Sequence, residues 1–212
     1  MARRNRPLFA RWWPQAAASM EDQGLGSHRA TLLAGVEGRV LEIGCGDGAN
    51  FPYYTNAATA LVGVEPEERL RELARERADA LGKHAAVVEG QAEHLPVESN
   101  AFDAVVSTLV LCSVEDQDRA LAEIHRVLKP GGRLWCLEHV ASRNRVIHLG
   151  EKAFDAVFWS HVFGGCHTGR DTGAAIGRAG FDTAGLVQRR FPDLPFPLSV
   201  SSHLIGAARK TR

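Results

Sequence analysis

Two kinds of segment alternate along most of the chain. Short runs rich in Val, Leu, Ile and Ala are separated by longer stretches in which apolar residues recur every three or four positions. The short runs are apolar at nearly every position, which is typical of parallel strands covered by helices on both faces. We predict strands at residues 39–43, 60–64, 85–89, 101–108 and 132–139, followed by two more near 181–189 and 200–209.

Two of the longer stretches predict amphipathic helices. Residues 67–81 place leucines and alanines among many charges, and residues 115–128 repeat this pattern. The second helix should end at the sequence Lys-Pro-Gly-Gly of residues 129–132, because proline and glycine stop a helix and turn the chain. Further helices are expected at 146–163, which is unusually aromatic, and near 172–179. This alternation predicts a doubly wound, Rossmann-like α/β fold.

The composition favours one globular domain with small or neutral partners. The chain has 212 residues, of which 45% are hydrophobic and 24% charged, enough to bury a continuous core. Lys plus Arg and Asp plus Glu number 25 each, so no overall charge favours a nucleic-acid partner. We therefore expect a small-molecule ligand and no nucleic acid.

The start of the chain has a basic head and an alanine cluster, as a secretion signal does. Arg11 and Pro14 interrupt its apolar part, and no later segment is long enough to span a bilayer. This predicts a cytoplasmic protein without an integral membrane segment. The apolar side chains at 8, 9, 12 and 13 could contact a membrane surface, but we favour an N-terminal helix that packs over the domain's own pocket.

The chain has four cysteines, Cys45, Cys112, Cys136 and Cys166. They form no Cys-x-x-Cys pair and show no spacing with histidine that is typical of metal ligands. We therefore expect reduced thiols and no metal site.

A glycine-rich turn follows the first predicted strand. The sequence VLEIGCGDGANF has glycines at 44, 46 and 48, a GxGxG spacing that differs from the GxGxxG of dinucleotide sites and from a phosphate-binding P-loop. Glu65 ends the second predicted strand, where a carboxylate can hold both hydroxyls of a ribose. An ordinary tight turn and a solvated acid would explain each feature alone; their order along the chain favours a nucleoside ligand.

Four motifs occur in order over residues 38–140: VLEIGCGDGANF, LVGVEP, VVEGQAEHLPVESNAFDAVVSTLVLCSV and VLKPGGRLWCLEHV. Together they resemble the class I S-adenosylmethionine (SAM) dependent methyltransferases. The segments LVLCSV, LEHV and GGCHTGRDT further resemble the small-molecule branch that includes the methyltransferase-like 7 thiol S-methyltransferases and their bacterial relatives. This resemblance implies SAM as cofactor and S-adenosylhomocysteine as product.

The resemblance also implies a single domain with a seven-stranded sheet whose last strand is antiparallel to the rest. Within it we expect a helical cap at 1–37, a SAM-binding core at 38–140, a substrate-side lid and loop at 141–180, and C-terminal strands at 181–212. The domain could be a monomer or a homodimer.

Ten residues are implied to surround the cofactor. Gly44 and Gly46 would let the backbone approach the amino-acid part of SAM, and Glu42 and Asn50 would hold its ammonium or carboxylate. Glu65 would bind the ribose hydroxyls.

The remaining five would contact the adenine and the methyl group. Pro66 would pack beside the adenine, whose edge Gln91 and Ala92 would recognise; many relatives have Asp at the position of Gln91, but an amide oxygen also accepts a hydrogen bond. Thr108 and Leu109 would lie beside the sulfonium, unless they serve only as strand core.

The implied reaction is displacement at the methyl carbon of SAM, in which the protein mainly positions the reactants. A thiol acceptor ionises more easily than an alcohol, so the need for a base is modest. His139, beside Glu138 at the end of the fifth strand, and His167, near Asp171, are the candidate bases. A buried histidine bonded to the backbone, or a helix-capping loop, is the structural alternative for these positions.

Three functions from different classes fit the sequence. The first is methylation of a small hydrophobic or aromatic molecule, with thiol sulfur favoured over oxygen or nitrogen, under an aromatic lid formed by 154–163. The second is a SAM-binding protein that catalyses a rearrangement or cyclisation, or O- or N-methylation of a natural-product intermediate. The third is a non-catalytic partner subunit. Arsenite methylation would need several cysteines at one site, which the predicted positions of Cys45 and Cys136 disfavour.

Overall fold

The computed structural model describes residues 7–142, 165–191 and 202–211, with side chains from residue 11 onward. Its α-helices are α1 Pro7–Met20, α2 Gly26–Leu33, α3 Glu68–Ala80, α4 Gln117–Val127 and α5 Thr172–Arg178, with a π-helical turn at Glu21–Leu25 and a 3-10 turn at Phe51–Tyr53. Its strands are β1 Gly38–Ile43, β2 Ala58–Glu65, β3 Ala85–Glu89, β4 Phe102–Thr108, β5 Leu128–His139, β6 Phe181–Asp182, β7 Leu186–Arg190 and β8 Ser202–Lys210.

One sheet organises these elements in the order β3-β2-β1-β4-β5-β8-β6, with β7 also paired to β8. Strands β1 to β5 are parallel to one another, and β8 is antiparallel to β5. The strand order and directions therefore confirm the predicted doubly wound fold with an antiparallel last strand. Because the strand order reverses between β1 and β4, their carboxyl ends open a crevice at which such folds bind ligands.

The number of strands differs from the expected seven. The sixth strand is divided into β6 and β7, which pair with successive parts of β8. Between them, a Cβ on Gly185 would lie only 2.4 Å from the carbonyl oxygen of Ala207, so the two backbones approach too closely for a regular ladder with a side chain there. The sheet consequently has eight strands.

The other boundaries follow the sequence closely, with one shift in β5. Helix α4 ends at Val127, and Leu128 already pairs with Phe102, four residues before the predicted start of the strand. The Lys-Pro-Gly-Gly segment thus lies inside the irregular first part of β5, where Gly131 has a φ of 76°. The helix predicted at 146–163 lies outside the described residues.

Successive residues of the central strands face two different hydrophobic cores, one on each side of the sheet. Val40 joins one core and Leu41 the other, as Ala104 and Val105 do on the neighbouring strand β4. Helix α4 covers one face of the sheet and helix α3 covers the other with Ala74 and Ala78. This two-sided burial explains why the predicted strands are apolar throughout. In the described residues, no helix is long and apolar enough to cross a membrane.

Candidate active site

The loop that follows β1 holds three glycines in left-handed conformations, with φ between 55° and 77° at 44, 46 and 48. Two of them differ in what surrounds them. A Cβ on Gly44 would lie 2.6 Å from a methyl group of Val110, whereas a Cβ on Gly46 would have Trp13 Nε1, at 3.7 Å, as its nearest neighbour. The packing of the protein therefore requires glycine at 44. At 46 it leaves space beside the backbone that a ligand can use.

Glu65 links the end of β2 to this loop. Its Oε2 accepts a hydrogen bond from the backbone N–H of Gly46 at 3.0 Å, and its Oε1 accepts one from the N–H of Glu67 at 3.0 Å. The side chain is buried, and burial raises the pKa of its carboxyl to about 7 despite these two bonds. A carboxyl group is thus held beside the open glycine, where hydroxyl donors of a ligand would favour its ionised form.

A second buried carboxyl, that of Glu42 on β1, lies in a polar network. Asn50 donates to its Oε1 at 3.0 Å and Tyr54 donates to its Oε2 at 2.8 Å. Burial raises the pKa of Glu42 to about 7. The amide nitrogen of Asn50 also donates to the hydroxyl of Thr108 at 3.0 Å, which connects β1 to the end of β4.

The N-terminal helices complete this network. Arg29 on α2 is buried, donates from Nη1 to Oδ1 of Asn50 at 2.5 Å, and donates from Nε to Oε1 of Glu21 at 2.6 Å. Together with the indole of Trp13 near Gly46, this places α1 and α2 over the carboxyl end of β1. The sequence indicated a helix in this region, but gave no signal for these two contacts.

Four other residues singled out from the sequence lie around the same edge of the sheet. Pro66 is exposed directly after β2, and Gln91 and Ala92 follow β3, where Gln91 forms a bridge with His94. Leu109 follows β4 and adopts a left-handed φ of 59°, which is rare for a residue with a side chain and is concentrated at functional sites.

Cys112, His139 and Cys166 form a buried cluster that the sequence analysis did not foresee. The two sulfur atoms are 3.5 Å apart, and Nδ1 of His139 lies 3.3 Å from Sγ of Cys166 and 3.9 Å from Sγ of Cys112. The three residues are separated by 27 positions each, too far for a recognisable ligand spacing. The one usable signal was their position relative to two adjacent parallel strands: Cys112 follows β4, and His139 is the last residue of β5.

The backbone around the cluster is fixed by Glu138. Its Oε1 accepts from the hydroxyl of Ser107 at 2.5 Å and from the N–H of Val110 at 3.1 Å, and its Oε2 accepts from the N–H of Cys112 at 3.2 Å. Burial raises the pKa of the Glu138 carboxyl. Glu138 therefore holds the loop after β4.

The segment around His167 reaches the cluster through its backbone. The N–H of His167 donates to the carbonyl of Cys112 at 2.8 Å, which aligns the preceding Cys166 with the loop after β4. Asp171, which was considered beside His167, instead accepts from the N–H of Ala174 and caps α5.

A stack of rings continues from the cluster. The ring of His139 lies 4.6 Å from that of His203, which stacks on Phe191 at 3.8 Å, and Phe191 in turn stacks on His28 at 4.1 Å. Neither His28 nor His203 was singled out from the sequence. The stack joins β5, β8 and α2 on the side of the site where His139 lies.

The chain has the features of a Rossmann-like α/β domain that binds a nucleoside. These are the reversed strand order, the accessible backbone at Gly46 after β1, and the carboxyl of Glu65 at the end of β2. Residues 41–136 match the family model described as a methyltransferase domain. Thiol S-methyltransferase TMT1B of Mus musculus is 36% identical over 185 residues, which cover 84% of this chain and 74% of the relative. The chain belongs to the SAM-dependent methyltransferases, and SAM is its cofactor.

Solved structures show the same fold at lower identity. A SAM-dependent methyltransferase of Thermotoga maritima, described as a possible histamine N-methyltransferase, is 24% identical with a TM-score of 0.70, covering 96% of this chain and 98% of its own. The [4+2]-cyclase SpnF is 22% identical with a TM-score of 0.68, covering 94% of this chain and 82% of its own. At these identities the likeness concerns the fold.

Proposed function

We propose that this methyltransferase transfers the methyl group of SAM to the sulfur of a small, hydrophobic or aromatic thiol. The observation that supports sulfur over oxygen or nitrogen is the 36% identity to a thiol S-methyltransferase across 84% of the chain. The neutral composition agrees with a small uncharged acceptor.

The residues around the crevice suit the cofactor. The space beside Gly46 admits a ligand against the backbone, and the buried carboxyls of Glu42 and Glu65 provide acceptors for the polar groups at its two ends. In our proposal Glu65 accepts from the ribose hydroxyls, and Glu42 with Asn50 holds the amino-acid part. Gly44 shapes the loop between them.

The adenine would lie at the ends of β2 and β3. We propose that Pro66 packs beside it and that Gln91 and Ala92 recognise its edge. Thr108 and Leu109, at the end of β4, would lie beside the transferable methyl group. The hydroxyl of Thr108 is bonded to Asn50, so the end of β4 and the amino-acid subsite are held in one arrangement.

When bound, SAM supplies a methyl group on a positively charged sulfur, which becomes neutral as the methyl leaves. The protein has to hold the acceptor in line with that methyl group and exclude water. A thiol with a pKa of about 8.5 is partly ionised at neutral pH, so little proton transfer is required of the protein. His139 and His167 remain our candidates for side chains that touch the acceptor.

The fold by itself does not select methyl transfer, since SpnF is a cyclase on the same scaffold. The test therefore follows both products. We would incubate the protein with SAM and benzyl mercaptan, benzyl alcohol or benzylamine, acceptors that differ only in the reacting atom. Methylated thiol and S-adenosylhomocysteine should accumulate in equal amounts, with slower or no reaction of the other two.

Methylation of the alcohol or the amine alone would overturn the preference for sulfur. Conversion of an acceptor without S-adenosylhomocysteine would favour a non-methylating reaction. Glu65→Gln should slow turnover at limiting SAM, whereas Glu76→Gln, on the exposed face of α3, should not; the second variant controls for a general effect of removing a carboxylate.

A further inference from the structure

The cluster of Cys112, His139 and Cys166 has the chemistry of a metal site. Two thiol sulfurs and one imidazole nitrogen face one another within a buried space, and all three ligand atoms lie within 4.8 Å of one another. Two cysteines and one histidine are ligands that zinc prefers.

The distances between the three atoms match a tetrahedral zinc centre. Bonds of about 2.3 Å to sulfur and about 2.1 Å to nitrogen separate two sulfurs by about 3.8 Å, and a sulfur from a nitrogen by about 3.6 Å. The observed separations are 3.5 Å between the sulfurs, and 3.3 Å and 3.9 Å from the sulfurs to Nδ1 of His139. Side-chain shifts of a few tenths of an ångström would complete the geometry.

The backbone that presents these ligands is fixed independently of any ion. Glu138 accepts from the N–H of Cys112, and the carbonyl of Cys112 accepts from the N–H of His167, next to Cys166. His139 lies in the regular ladder of β5, paired with His203 of β8. The three ligands are thus brought together by the sheet and its loops, as a preformed site requires.

The number of ligands indicates which kind of zinc site this would be. Structural sites use four protein ligands, whereas catalytic sites use three and leave one position for water or substrate. Within the residues that the structure describes, the cluster contains three potential ligands. Cys112 belongs to the loop after β4. Thr108 and Leu109, which we place beside the methyl group, lie at the end of the same strand.

We propose that Cys112, His139 and Cys166 bind a zinc ion whose open position takes the sulfur of the acceptor thiol. This inference rests on the proposed function. The acceptor would lose its thiol proton to solvent as its sulfur binds zinc. A sulfur lone pair would then form the bond to the methyl carbon while the bond from that carbon to the sulfonium breaks. The bonding pair stays on the departing sulfur, and zinc keeps its oxidation state.

The first experiment measures zinc independently of methyl transfer. Wild type, Cys112→Ser, Cys166→Ser and the control Cys136→Ala would be purified under reducing conditions, loaded with Zn²⁺, desalted and assayed for bound metal. Cys136 is a buried core cysteine outside the cluster, so its removal tests for non-specific thiol effects. Wild type and Cys136→Ala should retain one zinc per chain, and both cluster variants should lose it.

SAM binding by calorimetry is the check that the cluster variants are folded. A wild type that binds SAM but retains no zinc would overturn the site. So would a Cys112→Ser or Cys166→Ser variant that binds SAM and retains stoichiometric zinc. A disulfide between Cys112 and Cys166 in protein kept under reducing conditions, detected as a mass lower by two hydrogens, would also overturn it, because thiolates joined to each other are not ligands.

The second experiment tests the open position. Co²⁺ in place of Zn²⁺ gives a thiolate-to-metal absorption band, which should change when benzyl mercaptan is added and stay constant with benzyl alcohol. A band unchanged by the thiol would overturn the assignment of the acceptor to the metal. Stoichiometric zinc with no methylation of any thiol would refute the proposed function, whereas thiol methylation by metal-free protein would refute the role of zinc in the reaction and leave the proposed function standing.

Discussion

The backbone N–H of Gly46 donates a hydrogen bond to the carboxyl of Glu65, across 19 residues of sequence. This bond connects the loop after β1 to the end of β2, the two features that the sequence analysis associated with a nucleoside. It also gives the buried carboxyl of Glu65 a fixed direction toward the crevice. The first two predictions depend on this arrangement.

Replacing Glu65 should weaken cofactor binding more than it affects the fold. The substitution Glu65→Gln keeps the size of the side chain but removes the charge that strengthens bonds from the ribose hydroxyls. Hydrogen bonds to charged groups contribute about 1.5–3 kcal/mol, so the affinity for SAM should fall about 10- to 100-fold. Calorimetry with SAM would measure this, with Glu76→Gln as control. Unchanged affinity in a folded Glu65→Gln variant would remove our ribose assignment.

Cofactor binding should release protons near neutral pH. Burial raises the pKa of Glu65 to about 7, so about half of these carboxyls are protonated in the free protein at pH 7. Hydroxyl donors stabilise the ionised form and lower this pKa, so affinity should rise with pH up to about 7 and level off above it.

The release attributable to Glu65 should approach about half a proton at pH 7. It would be measured as the difference between wild type and Glu65→Gln, by calorimetry in buffers with different ionisation enthalpies. The raised pKa of Glu42 adds a similar contribution to both proteins, so the difference isolates Glu65. Proton uptake by wild type relative to the variant would contradict the prediction.

The two glycines of the loop should respond differently to alanine. Both adopt a left-handed φ, which costs a residue with a Cβ about 1–2 kcal/mol. Gly44→Ala adds a clash with Val110, whereas the methyl group of Gly46→Ala would lie in ordinary van der Waals contact with the indole of Trp13, at 3.7 Å from its nitrogen. Denaturant unfolding should therefore show the greater loss of stability for Gly44→Ala.

Gly46→Ala should instead mainly lose affinity for SAM, because its methyl group fills space that we assign to the cofactor. Each glycine variant thus serves as the control for the other. Equal losses of stability together with unchanged SAM affinity for Gly46→Ala would show that the space beside residue 46 is not used by the ligand.

Arg29 should couple the N-terminal helices to the site. The change Arg29→Met removes the hydrogen bonds to Glu21 and Asn50, and the carboxylate of Glu21 loses the guanidinium that pairs with it. Glu21 is only partly buried and keeps the hydrogen bond from the Tyr53 hydroxyl, so the loss is that of a charged hydrogen bond rather than of a fully buried ion pair. The free energy of unfolding should therefore fall by about 1.5–3 kcal/mol. Affinity for SAM should also fall, because Asn50 loses the group that orients its amide. Arg29→Lys keeps the charge and should be milder; equal stability of Arg29→Met and wild type would refute this coupling.

The sequence predicted the parallel strands and the position of the first glycine loop because both depend on local patterns. A buried parallel strand requires an apolar run, and a left-handed turn favours glycine, so each leaves a mark at its own position. Glu65 could be singled out for the same reason, because it is the last residue of such an apolar strand.

The thiol cluster could not be predicted in this way. Cys112 and His139 meet only because β4 and β5 are neighbours, and Cys166 joins them through a loop that follows a long intervening segment. The division of the sixth strand was missed for a related reason. It depends on how closely Gly185 approaches Ala207, a residue more than twenty positions away. Long-range approach leaves no periodic signal in either segment.

The position of Trp13 gives the protein an optical reporter. Its indole nitrogen lies 3.7 Å from where a methyl group on Gly46 would lie, so a nucleoside that rests against that glycine must share its surroundings with the ring. Indole emission depends on the polarity and contacts of its surroundings. The fluorescence of the N-terminal helix should therefore respond to occupancy of the crevice without any added dye.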